Sequence, residues 1–191
     1  MRKRFAACMM LAFAGLLAGC YESAQPLIAA NMADFPLGNS TRYRLYEWNT
    51  ELRQWDISEA GTVTRNGDHY DEIDDIAFIP DAKPFLLKSI WDNSYVAQQN
   101  SGSAYVYDLV RIESDAIYEY GMPCEEAGRK FVSQGLIDSF STDNGWGNTC
   151  TVSSFEKLAR VFRAIAAENR QPHGKYVLGT GEAPAQPLPV R

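Results

Sequence analysis

Residues 41–120 contain β-prone runs rich in Tyr, Val, Ile and Trp, broken by turn residues about every 8 to 12 positions. No helical pattern lies between these runs. Parallel strands need a crossover of about a dozen residues or more, so the pattern leaves an antiparallel meander. Strands are predicted over 42–48, 53–58, 61–65, 68–73, 85–90, 94–99, 104–112 and 115–120. Asn66-Gly67 predicts a type I′ hairpin, which needs positive φ at both central residues. Asp92-Asn93, Asn100 to Ser103 and Glu113-Ser114 are weaker turn signals.

The run 104–112 adds a second constraint. Tyr105, Tyr107 and Leu109 fall on one face, and Val106, Val110 and Ile112 on the other. Both faces are apolar, so each must meet something. The fold class expected is mainly β: an antiparallel meander of about 7–9 strands, curled or closed into a barrel, with a disulfide-tethered C-terminal α-helix. Gly61–Tyr70 and Asp108–Ile117 echo each other around a turn, as two hairpins of one meander do.

Beyond the meander, Glu125 to Gln134 predicts a short helix ended by Gly135. Residues 141–149 form a polar, glycine-rich loop. Ser153-Ser154-Phe155-Glu156 offers a capping box for a helix over about 154–169. Phe155, Leu158, Phe162, Ile165 and Ala166 make its apolar face, with Lys157, Arg160, Arg163 and Arg170 largely off it. Packing against the sheet is the expected role of that face, in preference to membrane binding. Residues 171–191 carry four prolines and predict a loose tail after about Leu178.

The N-terminus follows different rules. Arg2, Lys3 and Arg4 precede an uncharged run, Phe5 to Leu17, too short for a membrane span of about 20 residues. The run ends in Leu17-Ala18-Gly19-Cys20. This arrangement resembles the lipobox of bacterial lipoprotein precursors. The resemblance implies a diacylglycerol on the Cys20 sulfur, cleavage between Gly19 and Cys20, and usually acylation of the new amine. One acyl chain binds a membrane only marginally, whereas two or three hold a protein there. Tyr21 stands where an aspartate often retains enterobacterial lipoproteins in the inner membrane, which implies the outer membrane, facing the periplasm. The expected organisation is a signal peptide at 1–19, a lipidated N-terminus and tether at 20–40, one β-rich domain at 41–178, and a flexible tail at 179–191.

Cysteine use agrees with export. With Cys8 in the signal peptide and Cys20 lipidated, Cys124 and Cys150 remain as one pair in an oxidising compartment, where a disulfide is the default. Without Arg2, Lys3 and Arg4, 15 of the 18 basic side chains face 24 acidic ones, a net charge of −9. That charge disfavours nucleic acid and anionic headgroups and would favour a cationic protein partner.

No catalytic residue, metal site or cofactor is expected. His69 and His173 lack partners at metal-ligand spacing. The group Asp68, Asp71, Glu72, Asp74 and Asp75 does not match a calcium loop and reads as a solvated strand edge. Asp143, Asn144 and Asn148 read as a surface loop with ligand-like oxygens. No phosphate loop, nucleotide fingerprint or Gly-x-Ser-x-Gly occurs.

Three function classes follow. The first is a non-catalytic binding or structural protein of the envelope. The second is an inhibitor of a secreted enzyme. Ser101-Gly102-Ser103-Ala104-Tyr105 resembles the loop of the membrane-bound lysozyme inhibitors, small acidic lipoproteins with antiparallel barrels. That resemblance implies a partner loop of Ser101, Gly102, Ser103 and Tyr105, with a loop serine entering the lysozyme cleft. The third is a carrier of an apolar ligand, with Trp48, Trp55, Trp91 and tyrosines lining a barrel cavity.

Overall fold

The computed structural model describes residues 20–49, 54–75, 83–120, 124–142, 148–168, 172 and 174–179. Residues 1–19, where a signal peptide was expected, and Asp143, Asn144, His173 and residues 180–191 lie outside the described residues.

Eight strands close into an antiparallel barrel: β2 (Ser40–Asn49), β3 (Gln54–Asn66), β4 (His69–Asp74), β5 (Lys83–Trp91), β6 (Ser94–Asn100), β7 (Tyr105–Ile112), β8 (Ala116–Tyr120) and β11 (Gly174–Leu178). Neighbours follow chain order from β2 to β8, and β11 closes the ring between β8 and β2. Full closure leaves the barrel no free edge. The sequence assigned no strand to 174–178, just before the expected tail; Gly174–Leu178 is the closing strand, because Tyr176 and Leu178 have apolar partners inside the barrel.

The predicted meander is present, with one merger. The runs 53–58 and 61–65 are a single strand, β3, with a register shift opposite Leu45 and Tyr46 that leaves Ser58 unpaired. Such a bulge bends one strand without ending it. The hairpin at Asn66-Gly67 is also present, but Asn66 pairs with His69, and positive φ falls on Gly67 alone. The central pair is therefore Gly67-Asp68, with the φ signs of a type II′ turn and not type I′.

The β7 strand shows why both its faces are apolar. Val110 and Ile112 point into the barrel. Tyr107 and Leu109 point outward into a second core, with Tyr105 packed against it. That outer core is covered by α2 (Phe155–Ala166), which buries Leu158, Ala159, Val161, Phe162 and Ile165. Ser154, not Ser153, caps the helix by accepting a hydrogen bond from the Lys157 amide at 3.3 Å. Arg163 donates to the Ile90 carbonyl at 2.6 Å and lies over the Trp91 ring, which fixes α2 to β5.

Three further strands were not anticipated: β1 (Cys20–Ser23), β9 (Ser139–Ser141) and β10 (Thr149–Thr151). The β1 strand runs antiparallel to the N-terminal half of β7 and parallel to β10, which pairs with β9. Residues 20–40 are thus not a tether. Tyr21 is fully buried and meets Phe162 edge-on at 5.4 Å, and Ile28 is buried beside them. A disulfide joins Cys124, the first residue of α1 (Cys124–Ser133), to Cys150 in β10, which leads into α2. For a sequence separation of 26 residues, the chain-entropy model gives about 3–4 kcal/mol.

Candidate functional site

Two places in the fold concentrate polar chemistry: the barrel interior and the turn between β6 and β7.

Inside the barrel, alternation along each strand puts every second side chain on the axis. Three of these are glutamates: Glu59 on β3, Glu72 on β4 and Glu119 on β8, each almost fully buried. Buried carboxylates need partners. The Tyr43 hydroxyl donates to Glu59 Oε1 at 2.6 Å, and the Tyr176 hydroxyl donates to Glu119 Oε2 at 3.0 Å. Tyr43 also reaches Glu72, whose cross-strand neighbour is Lys83. Desolvation and the nearby Glu59 carboxylate push the Glu72 carboxyl up to about 7, against the pull of Tyr43 and Lys83. The Tyr43 hydroxyl has one proton, which it donates in the bond to Glu59. Burial and the same glutamates push both tyrosine hydroxyls far up, so both stay neutral donors.

Gly61 makes this arrangement fit. A Cβ there would stand 2.4 Å from the Ile73 carbonyl and 2.7 Å from the Tyr43 hydroxyl. The opposite half of the interior is apolar. Leu37 and Phe35, from the segment before β2, enter it beside Tyr70, which receives the Leu37 amide at 2.9 Å. Between the two halves lies a cavity of about 90 Å³, lined by apolar side chains and by Glu72, Gln99, Asp108 and Glu119. A cavity of about 150 Å³ admits benzene, so this one has room for a few waters or a very small molecule.

Sequence reasoning missed this cluster. Glu72 was grouped with a solvated acidic strand edge, but β4 is paired on both sides and Glu72 is buried, whereas Asp68 and Asp75 are exposed. Asp68 and Asp71 flank the His69 ring on the outer side, at 3.0 and 3.3 Å. The usable signal is parity: Glu72 shares its face with Tyr70, Glu59 with Val63, and Glu119 with Ile117. The tryptophans named as the lining of a carrier do not line the cavity where they are described. Trp91 packs on the outer core, Trp55 is half-buried and does not line the cavity, and the Trp48 side chain lies outside the described residues.

At the barrel rim, Ser101 to Ala104 form a tight turn between β6 and β7. Both the Ser101 amide and its hydroxyl donate to the Ala104 carbonyl at 2.9 Å. The Gly102 amide donates to Asn100 Oδ1 at 2.7 Å, and Gly102 takes a φ of +92°, which favours glycine. Ser101, Gly102 and Ser103 are exposed, while Tyr105 anchors the turn against the outer core. The structure brings these four residues together in one rim feature, remote in chemistry from the interior glutamates. Among the described residues, no group of His, Cys, Asp and Glu has metal-holding geometry.

No protein family, curated protein or solved structure matches the chain.

Proposed function

We propose that the protein is a non-catalytic binding protein of the bacterial envelope, anchored by lipid on Cys20 in the outer membrane and facing the periplasm. The observation that carries this reading is the contrast between a barrel with a small cavity and a pre-set rim turn. A cavity of about 90 Å³ suits the barrel better as a scaffold for its surface than as a container. The same volume weighs against a carrier of a long apolar ligand. The turn, by contrast, is ordered by its own hydrogen bonds before any partner arrives, which lowers the entropic cost of binding. The test is photo-cross-linking in intact cells, with the probe at Ser103 or at Asn93 in the turn between β5 and β6. A discrete protein adduct from Ser103 alone is expected. Equal or absent adducts from the two positions would overturn the reading.

A second reading, inhibition of lysozyme, is favoured by one observation: an eight-stranded antiparallel barrel presents Ser101-Gly102-Ser103-Ala104-Tyr105 at its rim. The mature chain with Cys20→Ser should then inhibit a c-type lysozyme at micromolar concentration, and Ser101→Ala or Ser103→Ala should weaken it. Undiminished lysis removes this reading.

A further inference from the structure

A flexible spacer of some 20 residues would give the domain an r.m.s. reach of about 25 Å from the membrane. The structure has no such spacer. Cys20 itself pairs with Thr149, and the next residue, Tyr21, pairs with both Cys150 and Tyr107. The chain then stays in the fold. Ser23 Oγ and the Tyr107 hydroxyl stand 2.7 Å apart. Gln98 receives the Leu27 and Ile28 amides, both at 2.8 Å, and donates to the Ile28 carbonyl at 3.0 Å. The Asp34 amide donates to the Leu87 carbonyl at 2.8 Å.

We infer that the edge formed by β1, β10 and β9 lies directly against the lipid surface and holds the domain in one orientation on it. This rests on the reading of Cys20 as the lipid-bearing residue. Register sets the geometry. Thr149 and then Ser141 stand opposite Cys20 across two strand spacings, about 5 and about 10 Å away. Composition agrees. In a mature chain of net charge −9, β10 reads Thr149-Cys150-Thr151 and β9 reads Ser139-Phe140-Ser141, with no charge in either. These two strands bring no carboxylate to the headgroups, and Glu22 on β1 is the one charge in the three-stranded edge. The same register places Ser23 opposite Tyr105, so the rim turn begins about 10 Å along β1 from the anchor.

The experiment uses the full precursor expressed in a bacterium with an envelope. Mass spectrometry first reads the lipid on Cys20. A photo-cross-linking residue is then placed at exposed Thr142, next to Ser141, or at exposed Asn93. Phospholipid adducts from Thr142 should exceed those from Asn93 about fivefold. Inserting about ten Gly and Ser residues between Cys20 and Tyr21, an added reach of ~17 Å, should remove most of that excess. Equal adducts from the two positions on a lipidated chain overturn the inference and leave the anchor reading intact, and the same holds if the Thr142 excess survives the spacer. A Cys20 without lipid overturns the anchor reading and this inference with it. The Thr142 and Asn93 comparison needs no spacer, so a spacer variant that fails to fold does not blunt the test.

Discussion

The β7 strand divides the molecule into two interiors of different character. On its outer face, Tyr107 and Leu109 join Tyr21, Val152, Leu158, Val161 and Phe162 in a core closed by α2. On its inner face, Val110 and Ile112 share a barrel with Glu59, Glu72 and Glu119 and a cavity of about 90 Å³. The outer core keeps its polar contacts at the border, where Ser23, Tyr107 and Gln98 stitch the N-terminal segment down. The barrel instead keeps polar groups at its centre, paired tyrosine to glutamate. A closed barrel needs no help from its contents to satisfy its backbone, so its interior can hold ionisable groups. A sheet face covered by one helix depends on apolar contact for its attachment.

The first way to break this contrast is Phe162→Ala. Phe162 is fully buried and is the edge-on partner of Tyr21. Its truncation removes contact from both α2 and β1, and the expected loss is about 3–5 kcal/mol. Urea unfolding followed by tryptophan fluorescence measures it. A loss below about 0.5 kcal/mol, the scale of an ordinary surface change, would mean that the helix side is not a true core.

The barrel should respond to pH where the outer core does not. The Glu72 carboxyl lies at about 7 in the fold against 4.5 as its ordinary value, chiefly through desolvation and the adjacent Glu59. A raised folded value means that the folded protein holds this proton more tightly than the unfolded chain. Its contribution to stability is full below pH 4.5 and is lost as pH rises through about 7. Above pH 7 the ionised group should cost roughly 3 kcal/mol, at 1.36 kcal/mol per pH unit. Glu72→Gln should therefore unfold at higher urea than the parent chain at pH 8 and lose most of that advantage at pH 4.5. Parallel pH profiles for the two proteins would show that Glu72 is not held neutral by its surroundings.

These two regions were unequally legible in the sequence. Strands β2 to β8 follow from propensity and turn residues, and the two-faced pattern of 104–112 already implied a core on each side. The closing strand β11 was hidden by prolines on both flanks and by its short length. The β1, β9 and β10 strands were hidden for another reason. Three- and four-residue strands such as Ser139-Phe140-Ser141 have no periodicity to detect, and distant pairing makes them strands. The interior glutamates were missed because acidic residues on a strand are normally exposed, and only their parity with Tyr70, Val63 and Ile117 tells otherwise. The rim residues Ser101 to Tyr105 were visible as a turn. Their internal hydrogen bonds were not, since these depend on the turn type.

Gly61→Ala probes the fit inside the barrel. Its new methyl would stand 2.4 Å from the Ile73 carbonyl, which is backbone and cannot swing aside. It would also press on the Tyr43 hydroxyl that supports Glu59. Overpacking of this kind costs about 1–3 kcal/mol. Much of the pH response assigned to Glu72 should change with it, because Tyr43 links the two carboxylates. An alanine variant with unchanged stability and pH profile would mean that the glutamate layer is loosely held.

The smallest expected effect is on the helix side and concerns how α2 begins. A capping box built on Ser153 would pair with Glu156, three residues on. The structure starts the helix one residue later, so Ser154 caps the Lys157 amide and Lys157 stands where the box would need an acid. Ser154→Ala should cost about 1 kcal/mol, the usual value of such a cap. Glu156→Ala should cost under ~0.5 kcal/mol, since only its favourable place in the first turn is lost. If the two costs were reversed, the helix would start at Ser153, with the same apolar face on Tyr21.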